Sequence, residues 1–574
     1  MDPPASSPAT FRFGPYGADV RTGELRKHGV RMKLRGKSFQ ALVALLEHPG
    51  ELVTREELRH RLWPQGVFVD FDNSLNSTVN RLRVVLGDCT AKPRFIETLP
   101  RLGYRFIAPV EPVRAAPPTL AVLPFENLNH DPEQDFFADG VADALTTALG
   151  NVSTLRVISR QSVLHLKGTR RTLPEIAREL KTDAVVEGSV LQAGGRVRIT
   201  AQLVQAAPER HLWAKSYECE MGDILTIQGQ VAQAIAEAVR VSLTPAEKRR
   251  LDCPHPVDPE AHLAYLRGRH HMGQWTRESF ERALDYFRLA LEKDPAHALA
   301  YAHMADCYAL LGHWGHLSLH DAFQKSKEAA LHALALDDSL SSAHWAFAWA
   351  VWVCDWDLAT CQAEALRAIQ LNPSDEHAHM VYSVFLITTG KDQPRAVSEM
   401  RMALDLDPLS QYVNANMAWI YLFVRDYDRA AEQARKTLEL FPESLLAWRG
   451  LGLAELCRSR YAEAIAALER GAAISPDALS VAYLGVAHAR AGHIDVAVSM
   501  LQQLLSRRER EPVLPRCFVF LYAATGDQDR AFDWLEKAYG DRDTGLFWLR
   551  IMPLFDPLRS APRFHEMLRR VGLA

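Results

Sequence analysis

The sequence predicts a multidomain chain in which an α+β domain and an α/β module precede a long all-α solenoid. Near the N-terminus, a basic segment alternates short apolar strands with amphipathic helices, and a second segment mixes strands and helices. Residues 251–574 are instead helical in pattern and place prolines at nearly constant intervals. A chain of 574 residues has room for three or four domains of ordinary size.

The net charge of −4 is unevenly distributed along the chain. Residues 11–109 hold 17 Lys and Arg against 10 Asp and Glu, a balance of +7, so the rest of the chain carries −11. A basic domain on an acidic body attracts phosphates at one end only. The start, MDPPASSPAT, lacks the basic and apolar regions of a secretory signal, and the apolar run at residues 345–354 is too short to span a membrane. We therefore expect a cytoplasmic protein with no membrane anchor.

The first domain, residues 11–109, follows a tail at residues 1–10 that we expect to be disordered. Residues 11–34 alternate short apolar stretches with turns, which predicts a small antiparallel sheet. A first helix follows, and Thr54 with Glu57 forms a capping box that opens a second. The third helix has Leu75, Val79 and Leu82 on its apolar side, and two strands at residues 94–98 and 104–107 then flank a turn.

The stretches ELVTREELRHRLWP, NRLRVVLGD and FIETLPRLGYRF, in this order, resemble the winged helix-turn-helix of the OmpR/PhoB type. The resemblance covers about a hundred residues. It implies that the third helix enters the major groove of double-stranded DNA, that the last turn reaches the minor groove, and that the loop at residues 64–72 contacts RNA polymerase. By position, the DNA-binding residues that it implies are Asn76, Ser77, Asn80, Arg81 and Arg83 of the helix and Arg101 of the turn.

The chemistry of these side chains suits DNA, but their spacing does not decide which of them reads bases. Arginine can bind a guanine edge at two points, and asparagine can bind adenine in the same way, whereas serine mostly contacts phosphates. Asn80 stands where the family often has an arginine before the R-L-R run, and this departure bears on sequence preference. Alternatively, Arg81 and Arg83 form an ordinary solvated basic face.

Residues 110–118 are proline-rich and predict a semi-rigid linker to an α/β module at residues 119–250. Within the module we expect strands at 119–125 and 155–159, helices at 136–149 and 172–180, and a hairpin around Gly194 and Gly195 followed by a third strand. The stretches AVLPFENLNHDPEQDFFADGVADALTTAL and DAVVEGSVLQAGGRVRITAQLV resemble a TolB-N-like or FlgO-like module. Such modules join a signalling domain to a tetratricopeptide array, and the resemblance implies no activity.

The solenoid is predicted from its period. Eight positions mark the period, and Asp338 takes the place of a proline at the third of them. In order, they lie 36, 43, 35, 35, 34, 34 and 36 residues apart, and the prolines among them are Pro259, Pro295, Pro373, Pro408, Pro442, Pro476 and Pro512. A period near 34 is that of the tetratricopeptide repeat, or TPR. We expect about eight repeats in residues 251–542, an insertion near residues 311–321 and a capping segment at 543–574. Such an array offers a concave face to a protein or peptide.

Other clusters fit structural roles, so we predict no catalytic residue, no cofactor and no metal site. The stretch Gly36-Lys37-Ser38 lacks the earlier glycine of a phosphate-binding loop, because Arg31 stands there. The eight cysteines form no CxxC pair, and the histidine clusters lack ligands at fixed spacing on a second element. Carboxylates around a helix start suit its dipole and solvent: Asp131, Glu133, Asp135 and Asp139.

These patterns favour a one-component transcriptional regulator, not an enzyme, that binds duplex DNA and receives a partner on its array. A homodimer on DNA is a further expectation, because dimers set the spacing of half-sites. The alternative is a TPR scaffold or assembly protein whose winged helix mediates protein contacts. A third hypothesis, an enzyme hidden in the α/β module, finds no supporting motif.

Overall fold

The computed structural model of the chain describes residues 10–19, 23–27, 30–34, 36–63, 71–113, 117–169, 171–193, 195–241, 243–252, 258–274, 276–313 and 317–574. The chain divides into two compact units, Met1–Pro117 and Pro118–Ala574. The described elements confirm the predicted fold class, with a winged helix, a sheet-containing central region and a long helical array. Among the described helices, none combines the length and apolar character needed to cross a membrane.

Two sheets and three helices build the first unit. The outer sheet runs β4-β3-β2-β1-β8 and is antiparallel, with strands Thr10–Phe13, Tyr16–Asp19, Glu24–Lys27, Val30–Met32 and, for β8, Glu111–Val113. The second sheet runs β5-β7-β6, with strands Leu52–Thr54, Gly103–Phe106 and Ile96–Leu99 in that order. The helices are α1 (Lys37–Leu46), α2 (Arg55–Leu62) and α3 (Phe71–Leu86).

Apolar side chains from all these layers form one core in the first unit. The rings of Phe13 and Phe106 meet edge to face with centroids 5.1 Å apart, and the hydroxyl of Tyr16 donates to the carbonyl of Leu86 at 2.8 Å. The capping box at Thr54 is confirmed, because the amide of Glu57 donates to the Thr54 hydroxyl at 3.2 Å and the Glu57 carboxylate accepts from the Thr54 amide at 2.7 Å. This core holds α3 with one side exposed.

A mixed sheet forms the centre of the second unit. Its order is β11-β9-β12-β13-β14, with strands Arg156–Val157, Thr119–Val122, Ala184–Ala193, Arg196–Ala206 and Glu209–Glu220, and β10 (Glu126–Asn127) pairs with β12. The strands β11, β9 and β12 are parallel, and the last three are antiparallel, as the predicted hairpin requires. The helices are α4 (Asp135–Gly150), α5 (Arg160–Leu164), α6 (Leu173–Leu180), α7 (Ile224–Ala238) and α8 (Pro245–Asp252).

Helix pairs follow in the array. Its first four pairs are Pro259–Met272 with Arg277–Lys293, Ala298–His313 with Leu319–Leu336, Ser341–Asp355 with Leu358–Leu371, and Glu376–Thr389 with Gln393–Leu406, numbered α9 to α16. The next four are Gln411–Phe423 with Tyr427–Leu440, Leu445–Cys457 with Tyr461–Ile474, Ala478–Arg490 with Ile494–Arg508, and Pro515–Thr525 with Gln528–Gly540, numbered α17 to α24.

One hydrogen bond recurs at the start of four successive repeats. The side chains of His344, His379, Asn414 and Trp448 each reach the main-chain carbonyl six residues earlier, at 2.8, 3.0, 2.9 and 2.8 Å. Three of those carbonyls belong to prolines of the repeat period. The fourth belongs to Asp338, which takes the place of the periodic proline in its repeat. The regular proline spacing therefore marks the positions where each turn is tied to the next helix.

The C-terminal segment, residues 543–574, contains two short 3₁₀ helices, Thr544–Trp548 and Pro553–Leu558, and α25 (Pro562–Arg570). It packs on α23 and α24, and it also returns to the ends of earlier helices. Trp548 stacks on Phe423 with centroids 4.9 Å apart, and the Arg425 guanidinium donates to the Asp556 carboxylate at 2.7 Å. The segment thus covers part of the middle repeats as well as the last one.

The α/β module is docked onto turns of the same array. The amide of Ser159 donates to the carbonyl of Leu406 at 2.8 Å, and the hydroxyl of Ser162 donates to the carboxylate of Asp407 at 2.6 Å. The carboxylate of Asp143 in α4 accepts from Arg269 in α9 at 2.6 Å, and both side chains are largely buried. Module and array therefore share, within the second unit, an interface in which these polar contacts accompany one continuous hydrophobic core.

Candidate nucleic-acid interface

Helix α3 has one buried side and one exposed polar side. Its apolar residues Leu75, Val79, Leu82 and Leu86 are at most 3% exposed and pack in the core. The opposite side is formed by exposed polar residues at helical spacing: Asn76, Ser77, Asn80 and Arg81. An amphipathic helix anchored this firmly can present its polar side chains to a groove of DNA without rearranging.

A shallow open groove runs along this side of α3. It is lined by helix residues and by the segment that follows β4: Lys33, Leu34, Ser38, Asn73, Asn76, Ser77, Asn80, Arg81, Val84 and Val85. Lys33 adds a cation that the sequence did not single out. Val84 is 80% exposed, which is unusual for an apolar side chain on a well-packed helix. In the major groove, such a side chain can contact the methyl group of thymine.

The amide of Asn76 is already held by two neighbours. Its Oδ1 accepts from the hydroxyl of Tyr104 in β7 at 2.8 Å and from the guanidinium of Arg55 in α2 at 3.1 Å. Sequence reasoning did not find Tyr104 or Arg55, because their contribution depends on a strand and a helix meeting at α3. Asn76 therefore presents its Nδ2 donor rather than a complete amide edge.

The prediction that Arg83 faces DNA is wrong for this structure. The residue is 5% exposed, and its guanidinium donates to the carbonyl of Ile96 at 2.9 Å and to the hydroxyl of Thr98 at 2.8 Å. Position 83 lies one helical turn after Val79, on the side that the hairpin β6–β7 covers, and spacing alone cannot show that cover. Arg83 joins α3 to β6, whereas Arg81 lies on the exposed side.

The turn between β6 and β7 places Arg101 at an exposed tip. The residue adopts φ 65°, a left-handed conformation that side chains other than glycine rarely take. Two residues later, Gly103 is required, because a Cβ there would lie 2.1 Å from the carbonyl oxygen of Val53 in β5. The turn is thus held by a close strand contact, and Arg101 is exposed on it.

Asp88 connects the end of α3 to the start of the hairpin. Its carboxylate accepts from the main-chain amides of Arg94 at 2.7 Å, Ile96 at 2.8 Å and Phe95 at 3.2 Å. Burial by itself raises the pKa of the Asp88 carboxyl, but these amide donors outweigh it and lower the pKa. A charged Asp88 therefore fixes the β6–β7 hairpin relative to the end of α3. The loop predicted to contact RNA polymerase spans residues 64–72. Residues 64–70 of this loop lie outside the described part of the chain.

The acidic cluster at the start of α4 has two different roles. Asp131 accepts from the amide of Glu133 at 3.0 Å, as a turn residue does. Asp139 is 3% exposed, contrary to the solvated position predicted for it, and it pairs with Lys167 at 2.9 Å and with His270 of the array at 3.2 Å. Docking of the module onto the array explains this burial, which the local sequence does not reveal.

These elements define the class of the two ends of the chain. The first unit is a winged helix-turn-helix of the OmpR/PhoB type, and the helix pairs of the second are tetratricopeptide repeats. A family model described as "Transcriptional regulatory protein, C terminal" matches residues 29–106, and one described as "Tetratricopeptide repeat" matches residues 416–478.

Among known proteins, the chain is 39% identical over 194 residues to "Putative adenylate cyclase 3" of Rhizobium meliloti, covering 34% of this chain and 33% of that one. It is 25% identical over 321 residues to "Transcriptional regulator HilA" of Salmonella typhimurium, covering 55% and 56%. The solved DNA-binding domain of Klebsiella pneumoniae RstA, in complex with RstA box, is 30% identical with a TM-score of 0.16, covering 17% and 96%. The chain thus spans a third to about half of the length of these curated relatives.

Proposed function

We propose that the chain is a transcriptional regulator that binds duplex DNA through the exposed side of α3 and the tip of the β6–β7 turn. The observation that carries this proposal is a single exposed polar side on a helix whose other side is fully anchored. Asn80 and Arg81 are the proposed base or phosphate contacts at its centre, with Asn76 and Ser77 before them and Arg101 at the wing. Arg83 is no longer among the proposed contacts.

Charge and similarity support the same function. Residues 11–109 have a balance of +7 within a chain of net charge −4, which favours phosphate attraction at this end. Regulators are named among the similar proteins, and one matched family model describes a transcriptional regulatory protein. The relative named "Putative adenylate cyclase 3" matches this chain over only 33% of its own length, so its name is not carried over to this chain. We propose a regulator and no catalytic role for this chain.

The remaining assignments are proposals that rest on the winged helix and the array. We propose that residues 11–109 form the DNA-binding domain, 119–250 a TolB-N-like or FlgO-like module, 251–542 about eight repeats and 543–574 a cap. A cytoplasmic location, a homodimer on DNA and a contact of the 64–72 loop with RNA polymerase complete the proposal. A protein or peptide would bind the array away from Phe423 and Arg425, because the C-terminal segment already contacts them.

The test is duplex binding by the full chain, measured by fluorescence anisotropy on random-sequence and genomic fragments at ~50 and ~150 mM salt. We expect binding that weakens steeply with salt, since phosphate contacts release counterions. Arg81→Ala should weaken it, and Arg12→Ala, an exposed arginine of β1, is the matched control. Equal binding by wild type and Arg81→Ala would contradict the proposed interface and favour the scaffold alternative.

A further inference from the structure

The most exposed large apolar side chains of the described chain lie in the first unit, and two of them belong to its proposed DNA-contacting elements. Val84 of α3 is 80% exposed, and Leu102 of the β6–β7 turn is 59% exposed. The third is Val30 of β4, at 69%, whereas no described large apolar side chain of the second unit exceeds 52%. A single exposed valine is ordinary on a protein surface. The position of Val84 on its helix therefore matters more than its exposure alone.

Val84 continues the row of polar residues that faces the groove of α3. Asn76, Asn80 and Val84 are four residues apart, and positions with this spacing lie on one side of a helix. All three are exposed and line the same open groove. The neighbouring Val85 packs against the core of the first unit, but Val84 does not belong to that core. Packing of the first unit, as far as the structure describes it, therefore does not account for a valine at position 84.

An apolar side chain in this row has one matching feature in the major groove. Base edges there present hydrogen-bond donors and acceptors, and the one methyl group among them is the 5-methyl group of thymine. A valine side chain neither donates nor accepts a hydrogen bond, so it cannot bind a phosphate or a polar base edge. Contact with the thymine methyl group instead removes apolar surface of both partners from water, which is favourable.

The groove beside Val84 has a cation on each of the two segments that line it. Arg81 lies three residues before Val84 on α3, and Lys33 belongs to the segment that follows β4. Both side chains are exposed. Arginine and lysine bind phosphates irrespective of sequence, so they can hold a duplex in the groove while Val84 contacts a base edge. Affinity and sequence preference thus depend on different residues of one groove.

We propose that Val84 reads thymine in the major groove through its 5-methyl group, close to the base pair that Asn80 contacts. The proposal deepens the proposed function and rests on it, because the contact forms only if α3 enters the major groove. Four residues of helix advance by about 6 Å and successive base pairs by about 3.4 Å, so we expect the thymine about two base pairs from the position that Asn80 reads. The preferred ligand is therefore a duplex with thymine at that position.

The test removes the methyl group from the DNA and the valine from the protein. Duplexes that the full wild-type chain selects from a randomised pool are the probe, and deoxyuridine replaces each of their thymines in turn. Deoxyuridine lacks only the 5-methyl group, so base pairing and the polar groups of the groove stay unchanged. We expect one replacement to weaken binding by the wild-type chain about fourfold, the effect of one buried methyl group. Anisotropy titrations at ~150 mM salt measure each affinity.

Val84→Ala should bind the thymine duplex and the deoxyuridine duplex with equal affinity at that position. Its fold is retained, because Val84 lies outside the core and alanine favours a helix. Val30→Ala, which shortens another exposed valine of the first unit, is the matched control and should keep the preference for thymine. Lys33→Gln should weaken binding to both duplexes equally, because a phosphate contact does not depend on a base methyl group.

The outcomes separate this inference from the proposed function. If the wild-type chain binds no duplex, the proposed function fails and the role of Val84 fails with it. If the chain binds duplexes but no deoxyuridine replacement weakens binding, or if Val84→Ala keeps the preference for thymine, DNA binding stands and the inference is overturned. An equal loss of affinity by Val84→Ala for both duplexes would also overturn it, because Val84 would then contact the DNA backbone or another protein surface.

Discussion

The hydroxyl of Tyr104 donates a 2.8 Å hydrogen bond to Oδ1 of Asn76 and so connects the β5-β7-β6 sheet to the exposed side of α3. Arg55 donates to the same oxygen at 3.1 Å. An amide oxygen has two lone pairs, and both are engaged here. A two-point contact with adenine needs that oxygen as an acceptor. We therefore expect Asn76 to bind DNA through Nδ2 alone and Asn80 to be the better candidate for a two-point contact with adenine.

Removing the Tyr104 hydroxyl tests this link. Tyr104→Phe should weaken DNA binding about 2- to 10-fold, because a lost hydrogen bond is worth roughly 0.5–1.5 kcal/mol and Asn76 loses its fixed orientation. Anisotropy titrations of the full chain measure the effect, with Tyr461→Phe in α20 as the control. Unchanged affinity of Tyr104→Phe would show that the orientation of Asn76 has no role in binding.

Substitutions of Arg81 and Arg83 should have different effects, the first on DNA affinity and the second on the stability of the fold. Arg81→Ala should lower DNA affinity and reduce the salt slope by about 1 if it contacts phosphate, with stability changed by less than ~0.5 kcal/mol. Arg83→Ala should instead lower the free energy of unfolding by about 1–3 kcal/mol, because Ile96 and Thr98 lose a buried charged partner. Urea unfolding and salt-dependent anisotropy of both variants provide the measurements. The same loss of stability in both would contradict the division.

Asn80 should determine sequence preference more than affinity. Asn80→Ala is expected to relax discrimination at one base pair by about 1–3 kcal/mol, as for the loss of a two-point base contact. Selection from randomised duplexes, compared between wild type and variant, locates that base pair. If the selected sequences are the same for both proteins, Asn80 contacts the backbone only.

The charge on Asp88 should make the wing sensitive to acid. Its pKa is lowered in the folded state, so the stabilisation is present above the unfolded-state pKa and is lost as pH falls through the folded-state value. Asp88→Asn should therefore destabilise the hairpin by about 1–3 kcal/mol at pH 7 and by progressively less as the pH falls through the folded-state pKa of Asp88. Hydrogen exchange of the peptide that spans residues 94–99 reports the difference. Equal protection of wild type and variant at pH 7 would contradict this role.

The buried pair between Arg269 and Asp143 should couple the α/β module to the array. Arg269→Met leaves Asp143 buried beside Arg160 alone, at 3.9 Å, and is expected to cost about 3–5 kcal/mol. Urea unfolding followed by limited proteolysis measures both stability and coupling, with Arg277→Met, an exposed arginine of α10, as the control. If Arg269→Met loses no more stability than Arg277→Met, the coupling of the module to the array does not depend on this pair.

Local patterns predicted the parts of this fold that depend on neighbours in sequence. The Thr54 and Thr172 capping boxes, the β12–β13 hairpin and the period of the array all follow from spacing, and the structure contains each of them. Three features depend instead on contacts with segments 13 to 131 residues away in sequence. These are the burial of Arg83 under β6, the burial of Asp139 beside His270, and the hydrogen bond from Tyr104 that orients Asn76. No periodicity in one segment can predict what a distant segment covers.

The return of the C-terminal segment to Phe423 and Arg425 has a consequence for how the array folds. A simple repeat solenoid gains its stability from nearest neighbours and can lose repeats from one end in steps. Here, contacts 125 to 131 residues apart in sequence, between Phe423 and Trp548 and between Arg425 and Asp556, join the fifth repeat to the final segment. We therefore expect the repeats between them to unfold as one cooperative unit, and folding to be slower than local helix pairing alone would allow.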